Sequence, residues 1–127
     1  MDKTALVTVD AALGEEVLGA LDAAGIAVSV ALWMYLDEYG DWRLFLASRR
    51  FDELGIREAY GELLGSLHKA GLTPERMPTV TILPMTDPLI RSLRRIFGKT
   101  KSVVGMRLGG QMIGDRFVED AYVYRIK

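Results

Sequence analysis

Two neighbouring β-prone runs constrain this chain more than any other feature. Residues 26–36 and 42–48 are rich in branched and aromatic side chains, and Asp37-Glu38-Tyr39-Gly40-Asp41 between them is a polar turn carrying a glycine. That arrangement predicts a β-hairpin with a five-residue loop. Alternation then assigns its faces. Val28, Val30, Leu32, Met34 and Leu36 point one way, with Leu44 and Leu46 as partners. Ala27, Ser29, Ala31, Trp33 and Tyr35 point the other way, beside Arg43, Phe45 and Arg49. The first face is core. The second mixes small, aromatic and cationic groups, so it is either covered by another element or is a binding face.

The remaining elements follow from spacing and punctuation. Residues 4–9 read as a short strand or a packed lead-in. Asp10 is placed to cap a helix running to about Ala24, with Leu13, Val17, Ala20, Leu21 and Ala24 on one face and Gly25-Ile26 as its stop. Residues 56–70 form a second helix with Ile56, Tyr60, Leu63, Leu64 and Leu67 as its stripe, and Gly71 ends it. Residues 79–83 read as a strand closed by Pro84. Asp87-Pro88 starts a third helix over 88–97 that buries Leu89, Ile90, Leu93, Ile96 and Phe97. Strands at 103–108, 111–113 and 117–126 follow, with Gly109-Gly110 as a turn. The order α-β-β-α-β-α-β-β predicts an α+β two-layer sandwich with about three helices and a mixed or mainly antiparallel sheet. With no repeat or linker composition inside residues 1–127, one domain is expected.

Composition narrows the chemistry. Half of the 127 residues are hydrophobic and 26% are charged, a globular balance that argues against disorder. Cysteine is absent, which removes disulfides, thiolate metal sites and cysteine nucleophiles, and fits a cytoplasmic location. No leader pattern opens the chain, and its longest nearly apolar run, residues 23–36, is shorter than the ~20 residues a membrane span needs.

Charge is unevenly spread. Residues 1–63 hold twelve acids and five bases, while residues 64–127 hold five acids and eleven bases. No acid falls between Asp87 and Asp115, where Arg91, Arg94, Arg95, Lys99, Lys101 and Arg107 form a candidate anion- or partner-binding surface. The three arginines share a helical face, and the two lysines follow the helix C-terminus, where cations are favoured by its dipole. A solvated helix face would carry the same residues. Few aromatics interleave with these bases, so the stacking platform of a single-strand binder is missing. Trp33, Tyr35, Phe45, Tyr122 and Tyr124 form a second candidate surface, a homodimer interface if the hairpin and last strand are neighbours. A second core layer under a helix is the reading these residues favour, and the lining of a small-molecule pocket is a third.

Catalytic motifs are thin. Gly98-Lys99-Thr100 resembles the end of a phosphate loop, but Leu93 stands where its first glycine belongs and the helix precedes it. Asp37, Glu38 and Asp41 lack the ligand count of a calcium loop. His68 is the only histidine, which excludes a multi-histidine metal site, and no serine sits in a Gly-x-Ser-x-Gly elbow. No cofactor or metal is expected. The sequence therefore points first to a small, non-enzymatic, self-associating interaction or regulatory module, with an acidic protein as a further partner. The alternatives are nucleic-acid binding through the 91–107 surface and a hydrolase-type enzyme using His68.

Overall fold

The computed structural model describes residues 8–100 and 102–127. Its elements are helix α1 (Thr8–Ala23), strands β1 (Val30–Leu36) and β2 (Asp41–Ala47), helices α2 (Arg49–Leu54) and α3 (Ile56–Lys69), and a single 3-10 turn at Pro74–Arg76. Strand β3 (Val80–Ile82), helix α4 (Pro88–Phe97) and strands β4 (Met106–Ile113) and β5 (Arg116–Ile126) complete the chain. The five strands form one mixed sheet in the order β3-β2-β1-β5-β4, parallel only between β2 and β3. This is an α+β fold with the expected element order, save that a short helix, α2, precedes the expected middle helix α3. Among the described residues, no helix is long and apolar enough to cross a membrane.

β1 lies at the centre of the sheet, and every residue from Val30 to Tyr35 is buried. Two separate cores explain why. One packs α1, α2 and α3 on Ala31, Trp33, Leu44, Leu46 and Tyr124; the other packs α4 on Val30, Leu32, Met34, Phe45 and Val123. The chain itself thus covers both faces of the hairpin.

The hairpin register differs from expectation by one residue. Leu36 pairs with Asp41, leaving a four-residue turn, so Leu32 faces Phe45 and Trp33 faces Leu44. Leu44 and Leu46 consequently lie with Trp33 and Ala31 rather than with Leu32. A one-residue change in loop length moves a whole strand's side chains to the opposite face. Here the swap costs no burial, because both faces are apolar and covered.

Helix starts and stops follow local chemistry. The Asp87 side chain accepts from the Leu89 amide at 2.9 Å, with Pro88 at the first turn. Main-chain bonds from Ile26 to Leu21 and from Leu72 to Leu67 close α1 and α3 just past Gly25 and Gly71, and both Ile26 and Leu72 are buried. α1 begins at Thr8, so Asp10 lies in its first turn and is not its cap; the expected strand at 4–9 is helical at Thr8 and Val9, and residues 4–7 lie outside the described residues. The unexpected helix α2 starts where buried Ser48 accepts from the Arg50 amide at 3.2 Å and donates to the Ala27 carbonyl at 2.7 Å.

Two stripes need correction. α3 buries Ala59, Leu63, Ser66 and Leu67, leaving Ile56 exposed and Leu64 49% exposed. The small residues bring the helix close, and Ser66 satisfies its hydroxyl on the Glu62 carbonyl at 2.8 Å. α4 buries Ser92 and exposes Ile96. Gly109-Gly110 is not a turn but part of β4, which pairs with β5 in step on either side of it. Gly110, at φ +66°, reverses the side-chain alternation there, so Leu108 and Ile113 both reach the core under α4.

Candidate functional site

A hydrogen-bonded aromatic group organises the α1 side of the sheet. β5 shifts register against β1 near Ala31 and Leu32, and Tyr124 projects there. Its hydroxyl accepts from Trp33 Nε1 at 2.8 Å and donates to the Ala11 carbonyl at 2.5 Å. Gly14 makes this approach possible, since a Cβ at that position would overlap the Tyr124 ring. Burial pushes the Tyr124 hydroxyl up to about 12, against a smaller opposite effect of the Trp33 hydrogen bond. The phenol is therefore a neutral structural link between strand and helix.

Beside this group a cleft of about 620 Å³ opens between α1 and the 3-10 turn. Its walls include Trp33 and Trp42, the only two tryptophans of the chain, with Leu13 and Met77. Glu16 of α1 and Arg76 of the turn form an ion pair at 2.6 Å that joins the two walls. Asp10, Glu75 and Thr79 supply the remaining polar lining. A hydrogen bond from its own amide and one from Thr73 hold the Glu75 carboxyl below its usual range, so it is ionised at neutral pH.

The basic surface anticipated at 91–107 is divided by the fold. Arg91 and Arg95 are exposed and Arg94 half-buried on the outer side of α4, and Lys99 is exposed beyond its end. Arg94 Nε donates to the Lys127 carbonyl at 2.7 Å. Lys101 lies outside the described residues. Arg107 pairs with Tyr122 across the strands and therefore lies on the α1 face, away from α4. It grips Asp120 at 2.9 and 3.0 Å, with Trp42 and Tyr122 rings 5.7 and 6.0 Å from its guanidinium. The α4 cations thus form one surface and Arg107 belongs to another.

Of the five aromatics considered as an interface, Trp33, Tyr35, Phe45 and Tyr124 are buried within this chain and Tyr122 is half-buried. Trp33, Tyr122 and Tyr124 share the α1 face, where Tyr122 and Tyr124 meet edge-to-face at 5.3 Å. Tyr35 packs edge-on against Trp42 at 5.8 Å. Phe45 belongs to the opposite core. His68 is exposed in the last turn of α3. Asp37 and Glu38 on one hairpin turn share a depression with Asp115 on the other and with Glu119 of β5, and Arg116 also lines it. Among the described residues, no three potential metal ligands cluster.

Sequence reasoning singled out Trp33 and Tyr124 but not the cleft. Asp10, Glu16, Trp42, Glu75 and Arg76 come from three distant segments, and no local spacing links them. One signal was present: a glycine within an amphipathic helix is costly, and Gly14 marks where another group comes close. Compared with known proteins, the chain matches no family model, no curated protein and no solved structure.

Proposed function

We propose that this chain is a small non-enzymatic interaction module that docks on an acidic protein surface through the outer side of α4. One observation carries the reading. Arg50, Arg76, Arg107 and Arg125 each hold a carboxylate of the same chain, whereas Arg91, Arg94 and Arg95 hold none among the described residues. A helix whose apolar side is spent on the core, and whose Arg91 and Arg95 are exposed while Arg94 meets only the Lys127 main-chain oxygen, is suited to an external anionic partner. Nucleic acid fits less well, because Arg107 faces away from α4 and is already matched by Asp120. An enzyme using His68 has little support from its exposed place at the end of α3.

The test compares the wild-type chain with an R91Q/R94Q/R95Q variant against poly-glutamate and random-sequence duplex DNA. The expected result is binding to the acidic polypeptide with shallow salt dependence, weakened in the variant while the fold is kept. Tight DNA binding that falls steeply with salt and disappears in the variant would overturn the reading, because each neutralised phosphate releases counterions.

Self-association is a second reading, favoured by the edge strand β4. It is eight residues long, carries a single charged residue, Arg107, and ends near the exposed cross-strand pair Met112 and Phe117, at 62% and 57% exposure. The other edge is guarded: β3 has three residues and lies between Pro78 and Pro84. A second copy pairing along β4 would extend the sheet across a two-fold axis. Sedimentation at tens of micromolar should then show a dimer that M112K weakens; a strict monomer removes this reading.

A further inference from the structure

We propose that the cleft between α1 and the 3-10 turn is a binding site for a small organic cation with an aromatic or alkyl body, such as an arylalkyl quaternary ammonium. This site is separate from the outer side of α4 and does not rest on the docking role proposed for it. Three features of the cleft converge. Its volume, about 620 Å³, lies within the range of small-molecule sites. Its apolar lining includes Leu13, Met77 and the half-buried Trp42, whose indole can attract a cation and offers flat apolar area, over a floor formed by the buried Trp33. Its charge is unbalanced: Arg76 is already matched by Glu16, while Asp10 and Glu75 join no ion pair among the described residues.

Each alternative ligand class meets an obstacle. An anion would lie beside two carboxylates, with only a neutralised arginine to receive it. A neutral apolar molecule would gain the indole contacts but leave the field of Asp10 and Glu75 unused. A strongly hydrated metal ion would find no cluster of three ligands. A soft organic cation uses both walls at once, with its body against Trp42, Leu13 and Met77 and its charge toward the carboxylates. Trp33 makes a fixed floor for the cleft, since Tyr124 holds its Nε1 and the strand fixes its backbone. The Glu16–Arg76 bridge holds the two walls of the cleft together.

The test uses the full chain and its own fluorescence, because both tryptophans line the cleft. Benzyltrimethylammonium, benzyl alcohol and benzoate are titrated separately at low salt. The expected result is a saturable change with the cation at millimolar concentrations or below, at least about tenfold tighter than with the alcohol, and none with benzoate. A D10N/E75Q variant should keep its melting temperature and lose about tenfold in affinity for the cation, while its weak response to benzyl alcohol stays the same. A W42L variant should lose the cation response; if it proves unstable, D10N/E75Q alone decides. No saturable response to the cation at tens of millimolar would overturn the proposal. So would equal binding of all three probes, or cation affinity unchanged in D10N/E75Q.

Discussion

The two faces of the sheet are built on different terms. Under α4 the core is mainly hydrocarbon: Leu89, Ile90 and Leu93 meet Val30, Leu32, Phe45, Val118 and Val123, and Ser92 is the one polar residue that the helix buries. Under α1 and α3 the core includes indole and phenol groups whose polar atoms are satisfied in place, and an open cleft lies beside it. A dry face needs only the right volume and tolerates no charge. A face with polar handles fixes orientation, because each buried N–H or O–H must find a partner at one distance and one angle. The same sheet thus carries a supporting side and a side able to hold a shaped site.

The largest expected effects test whether both cores are closely packed. Leu32→Ala and Leu93→Ala on the α4 side, and Leu44→Ala on the α1 side, should each cost about 2–5 kcal/mol in denaturant unfolding. All three side chains are almost completely buried. Leu64→Ala, on the outer side of α3, should stay within about 0.5 kcal/mol. A large loss at Leu64 together with a small one at Leu44 would mean that the assigned faces are reversed.

Next in size is the close approach that only the α1 side requires. Gly14→Val places a branched side chain where the Tyr124 ring now lies, so α1 must move away or Tyr124 must swing out. Overpacking of this kind costs about 1–3 kcal/mol, and tryptophan emission should shift as Trp33 loses its hydroxyl partner. Gly19→Val is the control, since a Cβ there meets nothing within 4 Å. It should lose nothing and gain slightly, because valine is a better helix former than glycine, with the emission unchanged.

How far these differences could be read beforehand depended on whether the signal was local. Asp87-Pro88, Gly25-Ile26 and Gly71 mark helix ends within a few residues, and each marks a boundary in the fold. The α+β class follows from the order of such segments. The face assignment of β2 does not, because it rests on the length of one turn, and a four-residue and a five-residue loop fit the same Asp37–Asp41 stretch. Side-chain size points to Leu64 and Ile56 as the buried stripe of α3, whereas close packing against a neighbouring helix favours small residues such as Ala59 and Ser66. The cationic side of α4 was legible from three arginines at helical spacing. Arg107 could not be separated from them, since which face a distant strand residue occupies depends on the pairing of β4 with β5.

A smaller effect should appear with Tyr124→Phe. The ring stays, but Trp33 Nε1 loses its acceptor and the Ala11 carbonyl loses a donor, at about 1–3 kcal/mol. The same variant checks an alkaline response. The folded Tyr124 pKa, about 12, lies above the ordinary value of 10.0. Its contribution is therefore complete below about pH 10 and is lost as pH rises through about 12, since the unfolded chain releases the proton first. That loss is on the order of 2 kcal/mol and should be reduced in the phenylalanine variant. An identical alkaline decline in both proteins would place the response elsewhere.

The smallest expected effect separates the two faces at acid pH. Arg125 of β5 grips Asp22 of α1 at 2.9 and 3.1 Å, and this hydrogen-bonded contact holds the Asp22 carboxyl below its usual range despite some burial. The folded pKa is depressed, so the contribution is present above about pH 4 and is lost as pH falls through the folded value. Because the Asp22 side chain is 48% exposed, solvent screening limits the pair to a few tenths of a kcal/mol. No arginine of α4 holds a carboxylate among the described residues, so no matching acid response is expected on that side. Stability measured from pH 6 to pH 2.5 should therefore decline slightly less steeply in Asp22→Asn than in the wild type. R91Q/R94Q/R95Q should leave the slope unchanged. A change of slope in the α4 variant, with none in Asp22→Asn, would assign the acid-sensitive contact to the wrong face of the sheet.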